Sequence, residues 1–584
     1  MNDNICDVDS LVRQIITRYN KWHIDPRELA LNEKVITVLK SKIKPRIFYV
    51  LERIFKRGLR KNPETWGLII LRGPRQIGKT TLVLYLAYIG ATQYNLRYDS
   101  IIYMDLSEEN LKKCITKGAS LTDIIEKIIS GRQKPVLLII DEASLYPDWS
   151  LAIKNLVDRG VLKRGIITLV TGSHAIELAM ERNYLIGRYG PLCEDSEIRT
   201  GPRQYYYPLR FAEFVESLNK ELDDMFRDLK IRHSKTKYAI IRHLLEPDRN
   251  PEDIRVFNFV LSSYADIIEV LFRYYLLVSG YPSLVAYLKE NFGDVVNNGM
   301  PSSLYEVIYS GLKSDLDKFR RYRLRVEVFM EILREISNRH YDPTASLEVS
   351  YDALINKLRV HGLGKGLPYS AREYRDVLRA HLDYLREIKA ILEIHPLKVI
   401  SKELVPESGK PLSKIIFTDP SIALAFYSFL NHIPNPYKFC VKALEEHRLP
   451  NLVEAVALSH LAMLPQLLSP SPENIASEPI GYLVSHRVRS EEDKTVYERK
   501  GEIDGITWFY SYLDNKRIYV PLEVKYKHGE LEDNDIDVYR SIKSLIGNQR
   551  LLVTVAFELK EIYSDVIKGV SYVVLPLPLF LILI

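Results

Sequence analysis

The chain has 584 residues, 46% of them hydrophobic and 27% charged, with 81 Lys and Arg against 75 Asp and Glu for a formal net charge of +6. That length exceeds what one core supports and implies three or four domains, the composition excludes a disordered or fibrous chain, and the small positive excess does not by itself demand a nucleic-acid partner. Cys6, Cys114, Cys193 and Cys440 lie far apart with no CxxC pair, which points to neither a zinc site nor a disulfide framework and favours a reducing, cytoplasmic setting.

The acidic, polar start, Met-Asn-Asp-Asn-Ile-Cys-Asp, argues against a secretory signal, and residues 1–60 read as an N-terminal helical segment. Residues 61–205 carry the clearest chemistry. Leu68-Ile69-Ile70-Leu71 reads as a buried strand, Gly73-Pro-Arg-Gln-Ile-Gly78-Lys79-Thr80 fits the phosphate-binding P-loop pattern, and Thr81-Leu-Val-Leu-Tyr-Leu-Ala reads as the helix after it. Glycines let the backbone curl so that successive N–H groups point at phosphate oxygens. Gly73, Pro74, Arg75, Gln76, Ile77, Gly78, Lys79, Thr80 and Thr81 are therefore the expected nucleotide cradle, with Lys79 reaching the β- and γ-phosphates and Thr80 ligating magnesium.

Pro135-Val-Leu-Leu-Ile-Ile140 is a continuous apolar run suited to a central parallel strand, and it ends in Asp141-Glu142. There Asp141 can hold the magnesium through water and Glu142 can polarise the attacking water. An acidic pair after a strand is otherwise a solvated turn; the phosphate loop upstream favours the chemistry. A third strand, Gly165-Ile-Ile-Thr-Leu-Val-Thr-Gly172, is followed by Ser173 and His174, and ligands gather at the carboxyl ends of parallel strands. Ser173 is thus a candidate to sense the γ-phosphate or position the water, although polar residues follow strands in any α/β domain. Arg188 has three readings: transition-state charge stabilisation in its own subunit, the same across an interface of a homo-oligomer, or a surface salt bridge.

Residues 206–315 are helical in pattern, as in Ala265-Asp-Ile-Ile-Glu-Val-Leu-Phe-Arg-Tyr-Tyr-Leu-Leu, and the charged segment Lys220 to Glu252 reads as a mobile insertion. In residues 316–418, Lys318, Arg320, Arg321, Arg323 and Arg325 crowd into eight positions with aromatics between them, a stretch able to follow a phosphate backbone or to form a solvated helix face. A short helix from Leu347 to Arg359, a turn at Gly362 to Gly366 and a second helix capped by Ser370 give helix-turn-helix order. The alternating strand from Leu392 and the segment to Ile415-Ile416-Phe417 are placed to form a wing. Arg372, Arg375 and Arg379 share one face of the second helix, where a major-groove reader carries them; such modules also pack on proteins.

After a linker at 419–445, residues 446–584 hold a second candidate site. Glu502-Ile-Asp504-Gly-Ile is followed, across a hairpin at Asp514-Asn515, by Tyr519-Val-Pro-Leu-Glu523-Val-Lys525. Residues two apart on a strand share a face, so Glu523 and Lys525 project together, with Asp504 on the neighbouring strand. The two carboxylates can share a divalent ion, Glu454 from a helix can complete the ligand set, and Lys525 can orient a water or steady phosphate charge. A purely structural role for the same residues stays open. Val573 to Ile584 is apolar but too short to span a bilayer and is interrupted by Pro576 and Pro578; it reads as a last strand, with no membrane partner.

Taken together, Leu71-Arg-Gly-Pro-Arg-Gln-Ile-Gly-Lys-Thr-Thr-Leu, Leu138-Ile-Ile-Asp-Glu-Ala, Thr171-Gly-Ser-His, Gly187-Arg, Tyr207-Pro-Leu-Arg-Phe-Ala-Glu-Phe and Ser279-Gly-Tyr-Pro resemble the AAA+-related ATPases common in archaea and bacteria, in the group with a winged helix and a nuclease-like tail. The order Glu454, Asp504, Glu523, Lys525 resembles the PD-(D/E)xK nuclease signature. The resemblance implies an α/β protein: a P-loop NTPase (ASCE/AAA+-like) parallel core, a helical lid, a winged helix-turn-helix and a C-terminal restriction-endonuclease-like domain. It further implies ATP and Mg2+ as cofactors, ATP hydrolysis and a DNA partner. In the lid element the family has two glycines before the aromatic; Ser279 replaces the first, a departure expected to leave the chemistry untouched. A rival expectation is a regulatory ATPase switch that gates a protein partner and carries a catalytically silent nuclease-like module.

Overall fold

The computed structural model describes residues 7–584 apart from 61–64, 147, 173–181, 186, 194–202, 232, 247–251, 318–324, 361–370, 402, 408–411, 469–478, 492–493, 512–514 and 528–530. The chain divides into two compact units, Met1–Tyr207 with Glu387–Lys389, and Pro208–Arg386 with Ala390–Ile584.

In the first unit the apolar runs become parallel strands: β1 (Gly67–Arg72), β2 (Ile101–Asp105), β3 (Val136–Asp141) and β4 (Ile166–Thr171), joined by β5 (Arg203–Tyr205). Their order is β2-β3-β4-β1-β5. Every residue of β1, β3 and β4 is buried, as a parallel sheet covered on both faces requires. Insertion of β4 between the two nucleotide strands agrees with an ASCE/AAA+-like core. The open edge of β2 is closed by one side chain from the N-terminal segment. Asn20 Nδ2 donates to the Tyr103 carbonyl at 2.9 Å, and its Oδ1 accepts from the Tyr103 N–H at 2.7 Å. A single amide thus takes the place of a neighbouring strand and denies that edge to other chains. One expectation is corrected here: Cys114 is disulfide-bonded, while Cys193 and Cys440 are free and buried. Separation along a chain says nothing about the distance between two Cα atoms in the fold.

The second unit opens with helices Phe211–Leu218, Lys220–Asp228, Ser234–Leu245 and Glu252–Val278. The charged stretch expected as an insertion is part of the packed body, since Leu222 and Phe226, one helical turn apart, are 0% and 1% exposed. Helices Pro282–Glu290, Phe292–Asn298 and Ser302–Asp317 lead to helix Val326–Tyr341, strand β6 (Glu348–Ser350), helices Tyr351–Val360 and Ala371–Glu387, and strands β7 (Ile391–Ile400), β8 (Glu403–Pro406) and β9 (Leu412–Phe417). β9 lies antiparallel between β6 and β7, and β8 folds back on β7. Most of the basic stretch, the turn at Gly362 to Gly366 and Ser370 lie outside the described residues.

Residues 419–445, expected as a linker, are instead two helices, Pro420–Leu430 and Pro436–Glu445. Asp419 and Asn435 cap them, and each has proline in its first turn. Helix Pro450–Leu468 follows, then β10 (Ile480–Glu491), β11 (Lys494–Ser511), β12 (Lys516–Lys525), helix Asp533–Ser541, β13 (Leu551–Val555), β14 (Tyr563–Ile567) and β15 (Val570–Pro576). These strands join the preceding ones in a single ten-stranded sheet, β14-β15-β13-β12-β11-β10-β7-β9-β6 with β8 on β7. The seam is the short parallel pairing of Gly481 with His395 and Tyr482 with Pro396. Glycine permits it, because a Cβ at 481 would lie 2.4 Å from Leu397 Cγ.

The apolar run expected as one last strand is strand only to Pro576; Leu577–Ile582 is a helix. Burial on every side erases the periodicity that separates the two. Among the described residues one helix, Pro450–Leu468, is long and apolar enough to cross a membrane, and 78% of that window is buried inside the protein.

Candidate functional site

β1 delivers the chain into the phosphate loop, and the loop's glycines are set by space and by backbone angle. A Cβ at Gly73 would lie 2.6 Å from the Tyr206 carbonyl, and Gly78 adopts φ +100°, a left-handed conformation that caps helix Lys79–Tyr94. Pro74, Arg75, Gln76 and Ile77 span the curve between them, and Thr81 sits in the helix's first turn. Lys79 is 7% exposed, and its ammonium donates to the Gly73 carbonyl at 2.8 Å and the Pro74 carbonyl at 3.0 Å. The cation is thereby held across the loop at the positive end of the helix.

Sequence reading placed Thr80 and Asp141 on one metal, and the structure brings them together. The Thr80 hydroxyl donates to Asp141 Oδ2 at 2.6 Å. Asp141 is 2% exposed and is surrounded by donors: Tyr103 Oη at 2.9 Å, the Glu142 N–H at 3.0 Å and the Thr171 hydroxyl. Neither Tyr103, in the middle of β2, nor Thr171, at the end of β4, was assigned a role in the sequence, because what each reaches is decided by the neighbouring strand. Asp105, paired with Asp141 in the β2–β3 register, is a further carboxylate at this end; burial raises its pKa, the Ser107 hydrogen bonds lower it, and the Asp141 charge adds to the rise. Glu142 is half-buried at φ 51°, a left-handed angle that costs a non-glycine residue energy and turns the chain sharply at the end of β3. Ser173 lies outside the described residues.

Arg188 is not brought to the loop of its own unit. Its guanidinium donates to Asp158 at 2.7 Å, at the end of helix Trp149–Asp158 that runs back toward the start of β4. The next residue's carbonyl accepts from the Leu68 N–H at 2.8 Å, near the start of β1. Both anchors sit at the amino ends of the strands, opposite the phosphate loop.

Residues 65–215 match the family model AAA_14, an AAA domain. This stretch is an AAA-type P-loop domain. No curated protein matches the chain. Among solved structures it is similar to the Walker-type ATPase PABY2304 of Pyrococcus abyssi, with 16% identity, 66% of this chain and 95% of that chain covered, and a TM-score of 0.33. It is also similar to Aeropyrum pernix ORC2 in ADPNP-ADP complexes (12% identity, 68% and 94% covered, TM-score 0.32) and to Aeropyrum pernix ORC1 in complex with DNA (11%, 68% and 95%, TM-score 0.29). Within the AAA domain the nucleotide end carries Lys79, Thr80, Asp105, Asp141 and Glu142, a set of oxygen donors and one ammonium that suits a triphosphate with magnesium.

Two of the resembling elements meet in the second unit. The Leu209 N–H donates to the Gly280 carbonyl at 2.7 Å, and Tyr275 Oη donates to the Leu209 carbonyl at 3.1 Å. A Cβ at Gly280 would lie 2.0 Å from the Leu209 carbonyl oxygen. Gly280→Ala is therefore expected to destabilise by about 4 kcal/mol or more, seen as a lower urea midpoint or as insoluble protein. Ser279 adopts φ 71°, and its hydroxyl donates to the buried Asp419. Burial raises the Asp419 pKa against hydrogen bonds from Ser279, Ser421 and Gly280.

The C-terminal candidates also converge. Gly505 pairs with Leu522 across β11 and β12, which sets Asp504 beside Glu523, and the Val524 N–H donates to Asp504 Oδ2 at 2.8 Å. Lys525 Nζ lies 2.9 Å from Glu523 Oε1 and 3.4 Å from Asp535 Oδ2. Burial, then the Asp504 charge, push the Glu523 pKa well up. Lys525 is raised because Glu523 and Asp535 outweigh the effect of its burial. Glu454, Glu502 and Asp504 each present an oxygen within 4.8 Å of the others, a donor set that suits a hard divalent cation. Glu502, Asp535 and a lysine on β9 were missed by the sequence reading. Glu502 was legible, since it lies two residues from Asp504 on one strand.

Of the arginines expected to share one face of helix Ala371–Glu387, Arg375 and Arg379 are exposed one turn apart, and Arg375 is paired with Asp352 at 2.9 Å. The side chain of Arg372 lies outside the described residues.

Proposed function

We propose that the chain hydrolyses ATP at its AAA domain and uses that cycle to act on DNA through its second unit. The 2.6 Å contact between Thr80 and Asp141 carries the first part: it joins the phosphate loop to the carboxylate strand, the pairing that a nucleotide-bound magnesium needs. When bound, that metal would neutralise charge on the phosphates, with Thr80 and Asp141 as its protein contacts. Lys79 would exchange its two loop carbonyls for phosphate oxygens, and Glu142 is the base that orients water. Tyr103 and Thr171 keep Asp141 aimed. Arg188, held by Asp158 away from the phosphate loop of its own unit, would act on a nucleotide only across an interface with a neighbouring subunit.

For the DNA part, support comes from helix-strand-helix-helix-hairpin order in residues 326–417, which is that of a winged helix, and from exposed Arg375 and Arg379 on its last helix. Further support comes from the nuclease-like constellation Glu454, Asp504, Glu523 and Lys525. A second reading, a switch that gates a protein partner, is favoured by the Asp352 carboxylate that already neutralises Arg375.

Salt-titrated anisotropy with single-stranded, duplex and branched DNA separates them. The DNA reading expects affinity to fall steeply with salt and the slope to shrink by about 2 when Arg375 and Arg379 are both replaced by alanine. No binding at low salt overturns it in favour of the switch.

A further inference from the structure

Lys414 lies in the middle of β9, between β6 and β7, yet its side chain, 2% exposed, ends among the C-terminal carboxylates. Its Nζ is 2.6 Å from Glu454 Oε1, 3.4 Å from Asp504 Oδ1 and 3.3 Å from the Asp504 carbonyl, and it is in direct contact with Glu502. The ring of Tyr482 faces the same ammonium at 5.1 Å. Three carboxylates, a carbonyl and an aromatic face make a complete ammonium site, with each element of a cation's binding energy supplied. The other lysine, Lys525, serves a separate pair, Glu523 and Asp535.

The carboxylates that Lys414 contacts are the same trio whose oxygens converge within 4.8 Å. A divalent ion ligated by them would sit about 2.0–2.6 Å from each oxygen. That position overlaps the ammonium, and two cations so close in a buried setting repel strongly. We propose that Lys414 is a built-in cation that takes the place of a divalent metal in the Glu454, Glu502 and Asp504 cluster. While β9 keeps its place in the sheet, the cluster is closed to metal. Taking the lysine away leaves three carboxylates without a counter-charge, a state that only a metal or protonation can relieve. This inference concerns the cation alone and stands whether or not the second unit binds DNA.

The test is Mn2+ titration of nucleotide-free full-length protein, followed by the electron paramagnetic resonance signal of free Mn2+. Wild type and Asp504→Asn are expected to bind the same amount, because the cluster takes none. Lys414→Met is expected to gain one Mn2+ per chain, and Lys414→Met with Asp504→Asn to lose it again. Loss of a bound Mn2+ in Asp504→Asn alone overturns the proposal, because metal would then coexist with the lysine. A folded Lys414→Met that gains nothing overturns it too. Should that variant fail to fold, it is refolded with and without Mn2+: recovery of its circular dichroism and solubility with the metal supports the proposal, and no recovery sinks it.

Discussion

Replacing Lys79 by alanine is expected to lower kcat for ATP about 10²- to 10³-fold or more, because the site loses the ammonium held across the phosphate loop. The same ammonium closes the phosphate loop by donating to the Gly73 and Pro74 carbonyls. A second effect follows: the loop loses an internal tether, so nucleotide affinity falls along with turnover. Thr80→Ala provides the comparison. It removes the donor to Asp141 Oδ2 but leaves the Lys79 tether in place, so its defect should be relieved in part by excess magnesium, whereas that of Lys79→Ala should not. Steady-state phosphate release across a magnesium series reads both. Unchanged turnover in Lys79→Ala would overturn the assignment of this loop.

Acid is expected to unfold the second unit through three histidines. His340, His381 and His460 each donate from Nδ1 to the carbonyl four residues earlier, those of Ile336, Val377 and Val456. Each accepts at Nε2 a backbone N–H from elsewhere in the unit, those of Phe417, Arg325 and Phe211. A protonated imidazole has no lone pair for that N–H. Burial accordingly lowers each pKa from 6.5 to about 4, with Arg325 near His381 and Arg210 near His460 adding to the fall. Between those values the unfolded chain binds more protons than the folded one. Stability is thus fully present above pH 6.5 and is lost as pH falls toward 4, at about 2 kcal/mol per histidine between pH 7 and pH 5.

Buried Asp419, Glu523 and Asp535, all raised by burial, work in the opposite direction over part of that range. Histidine variants isolate the effect. His340→Gln keeps both a donor and an acceptor, and its urea midpoint should fall less between pH 7 and pH 5 than that of the wild type. An equal fall in both proteins would remove His340 from the account.

The nucleotide end was legible in the sequence because its signals are contiguous: an apolar run, a glycine loop and a helix at one place, and an apolar run ending in Asp141-Glu142 at another. What was illegible is what the fold assembles from single residues. Tyr103 and Thr171 reach Asp141 only because β2 and β4 flank β3. Arg188 carried a suggestive neighbour in Gly187, but its place is decided by Asp158 at the far end of a helix. The helices at 420–430 and 436–445 were masked by prolines, which read as breakers although they stand in the first turn behind Asp419 and Asn435. Lys414 did leave a trace, as the only charge in Leu412-Ser-Lys-Ile-Ile-Phe, yet nothing local says which distant acids it will meet.

β9 is pinned on both sides, with Lys414 opposite Glu348 on β6 and Ile394 on β7. Side chains on a strand alternate between faces, so slippage of β9 by one position would swing the ammonium to the far side of the sheet and present Ser413 or Ile415 to the acids instead. Intermediate depths do not exist for such an element. Occupancy by the lysine is all or nothing, set by how the backbone ladder is aligned and not by the reach of a flexible side chain.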